Sequence, residues 1–304
     1  MNNSYVVYND KIVPESEVSI SIRSKAFNYG LGCFEGIRAY YNKSEDQLYA
    51  FRLDDHYTRL LQSCKALNIQ IPYTVQELSK ITLELLRKNN FKTTTYIRPL
   101  AYKGGEGIGP TLADDDNRLV IYCQPLESYT GKTELKVAIT SWQRLEDNML
   151  PPRTKATAAY LNSALASLEV TSKGYDEAIF LTNNGHVCEG PGENLFIVKK
   201  GKLITPPPSD NILEGITRET VIELAREELG IEVVERSISR TELYASDEVF
   251  FSGTAMEVTP VIEVDDRIIG DGTKGEVSTK IKDLFFDITT NNNPKYSKYC
   301  TPVY

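Results

Sequence analysis

Short apolar runs of strand length alternate with stripes of helical period through the second half of the chain, and that alternation constrains the fold more than any other feature. "LKVAITSW", "DEAIFLT", "NLFIVKK", "KLITP", "IEVVERSI", "DEVFFSG" and "VTPVIEV" are 5–8 residues long and read as strands. Between and after them come a helix expected over roughly 157–173, the amphipathic "TRETVIELAREELG" (217–230), "SRTELYAS" and "VSTKIKDLFFDIT". Gly230 is in place for a C′ glycine, and Ser239 with Glu242 has capping-box spacing. Elements of both kinds, each with one apolar face, bury those faces by packing in layers. The expected class is therefore α/β, with α and β elements mixed.

The first third is also mixed. "YVVYN" (5–9), "QLYAFRL" (47–53), "TTTYIRPLAY" (93–102) and "RLVIYCQPL" (118–126) read as strands. "DDHYTRLLQSCKAL" (54–67) and "TVQELSKITLELLRKN" read as helices, the second opened by Thr74 and Glu77 in capping-box spacing. Composition turns polar at "PLESYTGKTE". This gives a small N-terminal α/β domain over 1–124, an interdomain loop over 125–136 and a larger C-terminal domain over 137–304.

The totals exclude several classes of function. A net charge of −8 argues against a nucleic-acid binder. No apolar stretch nears the ~20 residues that span a bilayer, and the N-terminus carries no basic-then-apolar leader. Five scattered cysteines without a CxxC suggest free thiols and a cytoplasmic protein. With only His56 and His186, no metal site and no histidine-based triad is expected.

Four places break their local pattern. Lys155 heads a run of Ala, Thr, Ser and Leu in "KATAAYLNSALASLE"; it is either a solvated helix-end charge or a reactive amine. "CEGPGENLF" (188–196) sets Glu189 and Glu193 among glycines before a strand, either as a plain turn or as a functional carboxylate. In "ILEGITRET" (212–220), Gly215, Ile216 and Thr217 turn into a helix N-terminus, which suits an anion; Thr217 could equally be an ordinary N-cap. "FFSGTAMEVTP" (250–260) ends a strand in small residues. Arg98 lies inside an apolar strand and would need acceptors if buried, whereas Arg59 could be a surface charge. An amine, a lone carboxylate and two small-residue turns make up the parts that a pyridoxal phosphate enzyme needs.

"FNYGLGCFEGIRAY" (27–40), "HYTRLLQS" (56–63), "YIRPL" (96–100), "KATAAYLNS" (155–163), "EGPGENLFIV" (189–198), "LEGITRE" (213–219) and "SGTAMEVTP" (252–260) together resemble the branched-chain amino-acid aminotransferases. That family belongs to the fold-type IV pyridoxal-phosphate enzymes. The resemblance runs in order from about residue 5 to 285. It implies a two-domain fold with a pseudo-barrel C-terminal domain. It also implies ping-pong transamination of Leu, Ile and Val with 2-oxoglutarate, in branched-chain amino-acid biosynthesis.

The resemblance gives each position a role. Lys155 would be the Schiff-base lysine and proton shuttle. Glu189 would meet the pyridine nitrogen and Tyr160 the phenolic oxygen. Arg59, Ile216, Thr217 and Thr254 would hold the phosphate. Tyr96 and the Thr254–Ala255 backbone would take the substrate α-carboxylate. Phe34, Gly36, Tyr29, Tyr129 and Arg98 would line the side-chain pocket, with Ile108 and Pro110 supplied by the partner of a homodimer or a larger assembly of dimers. From its place inside an apolar strand with tyrosines close by in the motif set, rather than from the resemblance, Arg98 is expected to pair with the γ-carboxylate of glutamate, helped by Tyr29 and Tyr129. A D-amino-acid aminotransferase or an aminodeoxychorismate lyase would share the cofactor residues, and a non-catalytic binding protein on the same scaffold is the remaining alternative. "FEGIR" with "YIRPL" favours the branched-chain type.

Overall fold

The computed structural model describes residues 4–113 and 115–304. In chain order its regular elements begin with β1 (Tyr5–Tyr8), β2 (Lys11–Pro14), α1 (Lys25–Tyr29), β3 (Gly32–Phe34), β4 (Ile37–Asn42), β5 (Gln47–Phe51), α2 (Leu53–Ala66), α3 (Val75–Asn89), β6 (Thr95–Lys103) and β7 (Asn117–Pro125). They continue with β8 (Leu135–Gln143), α4 (Tyr160–Thr171), β9 (Glu177–Leu181), β10 (His186–Val187), β11 (Asn194–Lys199), β12 (Lys202–Thr205), α5 (Ile216–Glu227), β13 (Val233–Glu235) and β14 (Ile238–Ser239). The last are α6 (Arg240–Tyr244), β15 (Glu248–Gly253), β16 (Glu257–Val264), β17 (Arg267–Ile268), α7 (Glu276–Thr289) and β18 (Cys300–Pro302). The class is mixed α/β.

The chain divides into two compact units. The first holds 1–127, 154–158 and 287–304, and the second holds 128–153 and 159–286. This differs from the sequence-based division in two places, because residues around Lys155 and the last eighteen residues group with the first unit. Hydrogen bonding gives the reason. The Phe34 N–H donates to the Lys155 carbonyl (3.1 Å), and the Lys155 N–H donates to Ser63 Oγ (3.3 Å). β18 pairs antiparallel with β5, Cys300 facing Phe51.

Among the described residues, the sheet of the first unit has eight strands in the order β18-β5-β4-β6-β7-β1-β2, with β3 also on β6. β6 is paired along its length, by β7 on one side and by β4 and β3 on the other. It is a central strand, and every residue of it but Arg98 and Leu100 is buried. α2 and α3 lay Leu53, Tyr57, Leu60 and Leu78, Leu85, Leu86 into one core with Ile37, Ile97 and Ile121. Each such leucine contributes about 1.5–3 kcal/mol by leaving water. The Thr74–Glu77 capping box forms in both directions. The strand expected over 47–53 stops at Phe51, because Arg52 turns left-handed (φ 49°) and α2 begins at the next residue.

The second unit's sheet has ten strands among the described residues, in the order β13-β12-β11-β15-β16-β8-β9-β10-β14, with β17 on β16. It is mixed: β12–β13, β16–β8 and β8–β9 run parallel. The helix expected over 157–173 starts as a single 3₁₀ turn, and its α-helical part is α4. At Ser239 the capping box is half made: Ser239 Oγ accepts from the Glu242 N–H (3.3 Å), while the Glu242 carboxylate is drawn to Arg236 (2.7 and 2.9 Å). No helix among the described residues is long and apolar enough to cross a membrane.

Candidate active site

In the first unit, Lys155 lies beside β3 like a fragment of strand, with Ala156 bridged to Cys33. Its Nζ is 5.4 Å from the centroid of the Phe34 ring. Arg98 Cζ sits 4.2 Å from the same centroid. Arg98 is half-buried, not fully so, and its Nε and Nη2 donate to Tyr96 Oη at 3.3 and 2.7 Å. Tyr96 comes this close because residue 36 is glycine; a Cβ there would fall 2.4 Å from Tyr96 Oη. Tyr29 Oη accepts from the Gly109 N–H (3.2 Å), with Ile108 fully exposed and Pro110 exposed beside it.

Arg59 is not a surface charge. Its side chain is 12% exposed, and its Nε and Nη2 grip Glu35 Oε1 and Oε2 at 2.7 and 2.8 Å. His56 Nδ1 lies 2.8 Å from the same Oε2. Burial would raise the Glu35 pKa, but the charge and hydrogen bonds of Arg59, aided by His56, hold it well below the usual carboxylate range. Arg38, on β4, is a second arginine inside an apolar strand. It is buried and donates through Nη2 to the carbonyls of Leu126 and Glu127 (2.8 and 2.6 Å), so Arg98 is not alone in that position.

In the second unit, Glu189 is buried at the turn before β11. Its Oε1 meets Arg144 Nη2 at 2.8 Å, and its Oε2 accepts from Asn194 Nδ2 and the Leu213 N–H, both at 3.0 Å. Glu193 supports the turn instead, its Oε2 accepting from the Gly192 N–H (3.0 Å). α5 opens on Gly215 as N-cap, which has no side chain to close the first turn. Glycine is required there, since a Cβ would lie 2.0 Å from Asn194 Oδ1. Ile216 and Thr217 follow inside the helix, both buried, so Thr217 is not the N-cap. Thr254 and Ala255 form the half-buried turn between β15 and β16, and Tyr160 begins α4. Tyr129 is 59% exposed.

The first unit thus offers an amine and a fixed guanidinium, and the second a buried carboxylate and a helix N-terminus suited to an anion. Comparison with known proteins narrows what such a set serves. Residues 32–264 match the family model described as amino-transferase class IV. A probable branched-chain-amino-acid aminotransferase of Aquifex aeolicus is 45% identical over 301 residues, covering 99% of this chain and 97% of its own. The crystal structure of a branched-chain aminotransferase from Thermoproteus uzoniensis with norvaline superposes with a TM-score of 0.95 at 45% identity, covering 99% of both chains. That of the Thermobaculum terrenum branched-chain amino acid aminotransferase in its PLP-form gives 0.95 at 39% identity, covering 100% of this chain and 99% of the other.

The chain belongs to the branched-chain amino-acid aminotransferase family. Three groups of this aminotransferase escaped the sequence reading: half-buried Arg144 beside Glu189, and buried Glu35 with His56 beside Arg59. Arg144 follows a strand among exposed residues and gives no local signal. Glu35 stands within "FEGIR", where a charged residue between Phe34 and Gly36 breaks an apolar stretch, and that interruption was the available sign.

Proposed function

We propose that this protein transfers the amino group of L-leucine, L-isoleucine or L-valine to 2-oxoglutarate, using pyridoxal 5′-phosphate in a ping-pong cycle. The full-length likeness to the branched-chain aminotransferases carries this reading. The residues present suit the cofactor: an amine for its aldehyde, a buried carboxylate for its ring nitrogen, and an arginine with a glycine-capped helix start for its phosphate. When bound, pyridoxal phosphate supplies an electron sink that makes the substrate Cα–H acidic.

The chain's own groups do the rest. Lys155 Nζ would hold the cofactor through its aldehyde and would serve as the base that takes up and returns the substrate Cα proton. The Glu189 carboxylate, steadied by Arg144 and Asn194, keeps a proton on the ring nitrogen by favouring its charged form. Tyr160 donates to the phenolic oxygen. The Ile216 and Thr217 N–H groups, Arg59 and Thr254 bind the phosphate. Tyr96 and the Thr254–Ala255 backbone receive the α-carboxylate. Phe34 and Gly36 shape the side-chain pocket with Tyr29 and Tyr129. Arg98, resting on the Phe34 ring, takes the γ-carboxylate of glutamate and returns to Tyr96 when leucine is bound.

The protein is read as a cytoplasmic homodimer. Ile20 (45% exposed), Ile22 (78%), Phe27 (76%) and Ile108 (100%) form part of the first unit's surface, and a second copy would cover such apolar side chains. Ile108 and Pro110 would then serve the partner's pocket.

A donor panel of L-Leu, L-Ile, L-Val, both alanines and aromatic amino acids against 2-oxoglutarate tests the reading. Fastest turnover is expected with the three branched-chain L-donors. Turnover confined to D-alanine, or pyruvate release from aminodeoxychorismate, would replace it with one of the sister activities.

A further inference from the structure

We propose that Glu35 is the positioning residue of the phosphate anchor, holding Arg59 in a single orientation, and that His56 in turn fixes Glu35. The proposal rests on the reading of Arg59 as a phosphate ligand. Glu35 is fully buried, and its N–H donates to the Pro99 carbonyl (2.9 Å), which ties it to β6. Each of its carboxylate oxygens takes one N–H of the Arg59 fork, at 2.7 and 2.8 Å. Such a bidentate pair fixes the guanidinium plane as well as its place.

His56 and Arg59 stand three residues apart on α2 and so share a face. Burial disfavours the imidazolium and holds the His56 pKa below its ordinary 6.5. A neutral ring donating from Nδ1 therefore steadies Glu35 without adding charge, and the cluster sums to zero: one carboxylate, one guanidinium, one neutral imidazole.

Burying such a trio gains little stability, since desolvation offsets most of the attraction. What it does produce is one rotamer for a side chain that otherwise loses much freedom on being ordered. The pair engages Nε and Nη2, two of the five guanidinium donors. Glu35 also sits between Phe34, the ring under Lys155 and Arg98, and Gly36, which admits Tyr96. The residue that orients the anchor is thus continuous with the strand that bears the pocket.

The test compares pyridoxal 5′-phosphate with pyridoxal on the full-length protein freed of cofactor. A group that orients a phosphate ligand acts on the first and not on the second, whereas general loosening weakens both. Glu35→Gln is expected to weaken pyridoxal phosphate by about ten- to a hundredfold and to leave pyridoxal within about twofold. His56→Gln, which keeps the ion pair, should shift the ratio the same way by a few fold, and it carries the test if Glu35→Gln does not fold. Arg59→Met should abolish the preference for the phosphate form. If Arg59→Met leaves that preference intact, the phosphate reading of Arg59 fails. If Arg59→Met abolishes it while Glu35→Gln and His56→Gln retain it, the positioning role alone fails. Equal weakening of both ligands, or tighter binding of pyridoxal phosphate by Glu35→Gln, would also overturn it; the latter would mean that Glu35 merely neutralises Arg59.

Discussion

Each unit buries a glutamate against an arginine, and on the proposed reading the two pairs would be used in opposite senses. In the first unit Glu35 is spent wholly on its neighbours, and on the proposed reading Arg59 is the group that meets the cofactor. In the second, Glu189 would meet the cofactor, while Arg144 stands behind it as the support. On the proposed reading the same kind of ion pair would serve an anion in one unit and a ring cation in the other, according to which partner faces the ligand. Within each pair the opposite charges cancel, which offsets part of the desolvation cost and makes each member depend on the other staying in place.

Lys155 belongs to neither pair, and its loss should have the largest effect. Lys155→Ala is expected to reduce multiple turnover by more than about a thousandfold, at or beyond what a positioned acid–base group supplies, with little change in melting temperature. Borohydride reduction of the wild type followed by peptide mapping should label Lys155; a label on another lysine would end the assignment.

Glu189→Gln asks whether the second pair has the sense proposed. Turnover should fall by about a hundredfold or more, since a neutral amide no longer favours the ring's charged form, while the cofactor stays bound through its phosphate. A full-speed variant would place the ring contact elsewhere. Arg98→Met stands outside the comparison as a control on the substrate. It should lower kcat/KM for glutamate and 2-oxoglutarate by about ten- to a hundredfold and spare leucine; equal losses would make Arg98 structural or an α-carboxylate ligand.

Arg144→Met sharpens the contrast with Arg59→Met. It should slow turnover by about tenfold, acting through Glu189, with cofactor affinity nearly unchanged. If it instead released the cofactor as Arg59→Met is expected to do, the two arginines would be alike and the opposition false.

The smallest effect is on stability against pH. Folding lowers the His56 pKa because burial disfavours its charged form, with Arg59 and Arg52 adding repulsion and Glu35 opposing. The unfolded chain therefore takes up this proton first, and the stability it contributes, present above about pH 6.5, is lost as the pH falls below that value. Glu35, also lowered, contributes above its ordinary 4.5 and loses that contribution on further acidification. Urea midpoints from pH 8 to 5 should fall for the wild type and fall less for His56→Gln.

Much of the fold was legible because it is local. The stripes of α2, α3, α5 and α7 and the cap at Thr74 depend on neighbours within a few residues, and the sequence carries them openly. The candidate site was legible where glycine or lysine breaks a pattern, as at Gly215 and Lys155. What stayed hidden is pairing across distance: Glu35 with Arg59, Glu189 with Arg144, and Lys155 with β3. A charge announces that it needs a partner but not which one, and an arginine on a polar stretch does not announce even that. The Ser239 box shows the same limit, since Arg236 draws Glu242 away from the cap.

The pairing of β18 with β5 bears on how the protein is made. Phe51 leaves the ribosome long before Cys300, its partner across the ladder. At ~5–20 residues per second the interval is roughly 12–50 seconds. Through that time the outer side of β5 is an unpaired edge, open to strand addition from another nascent chain. Any product that ends before residue 300 would keep that edge open for as long as it persists.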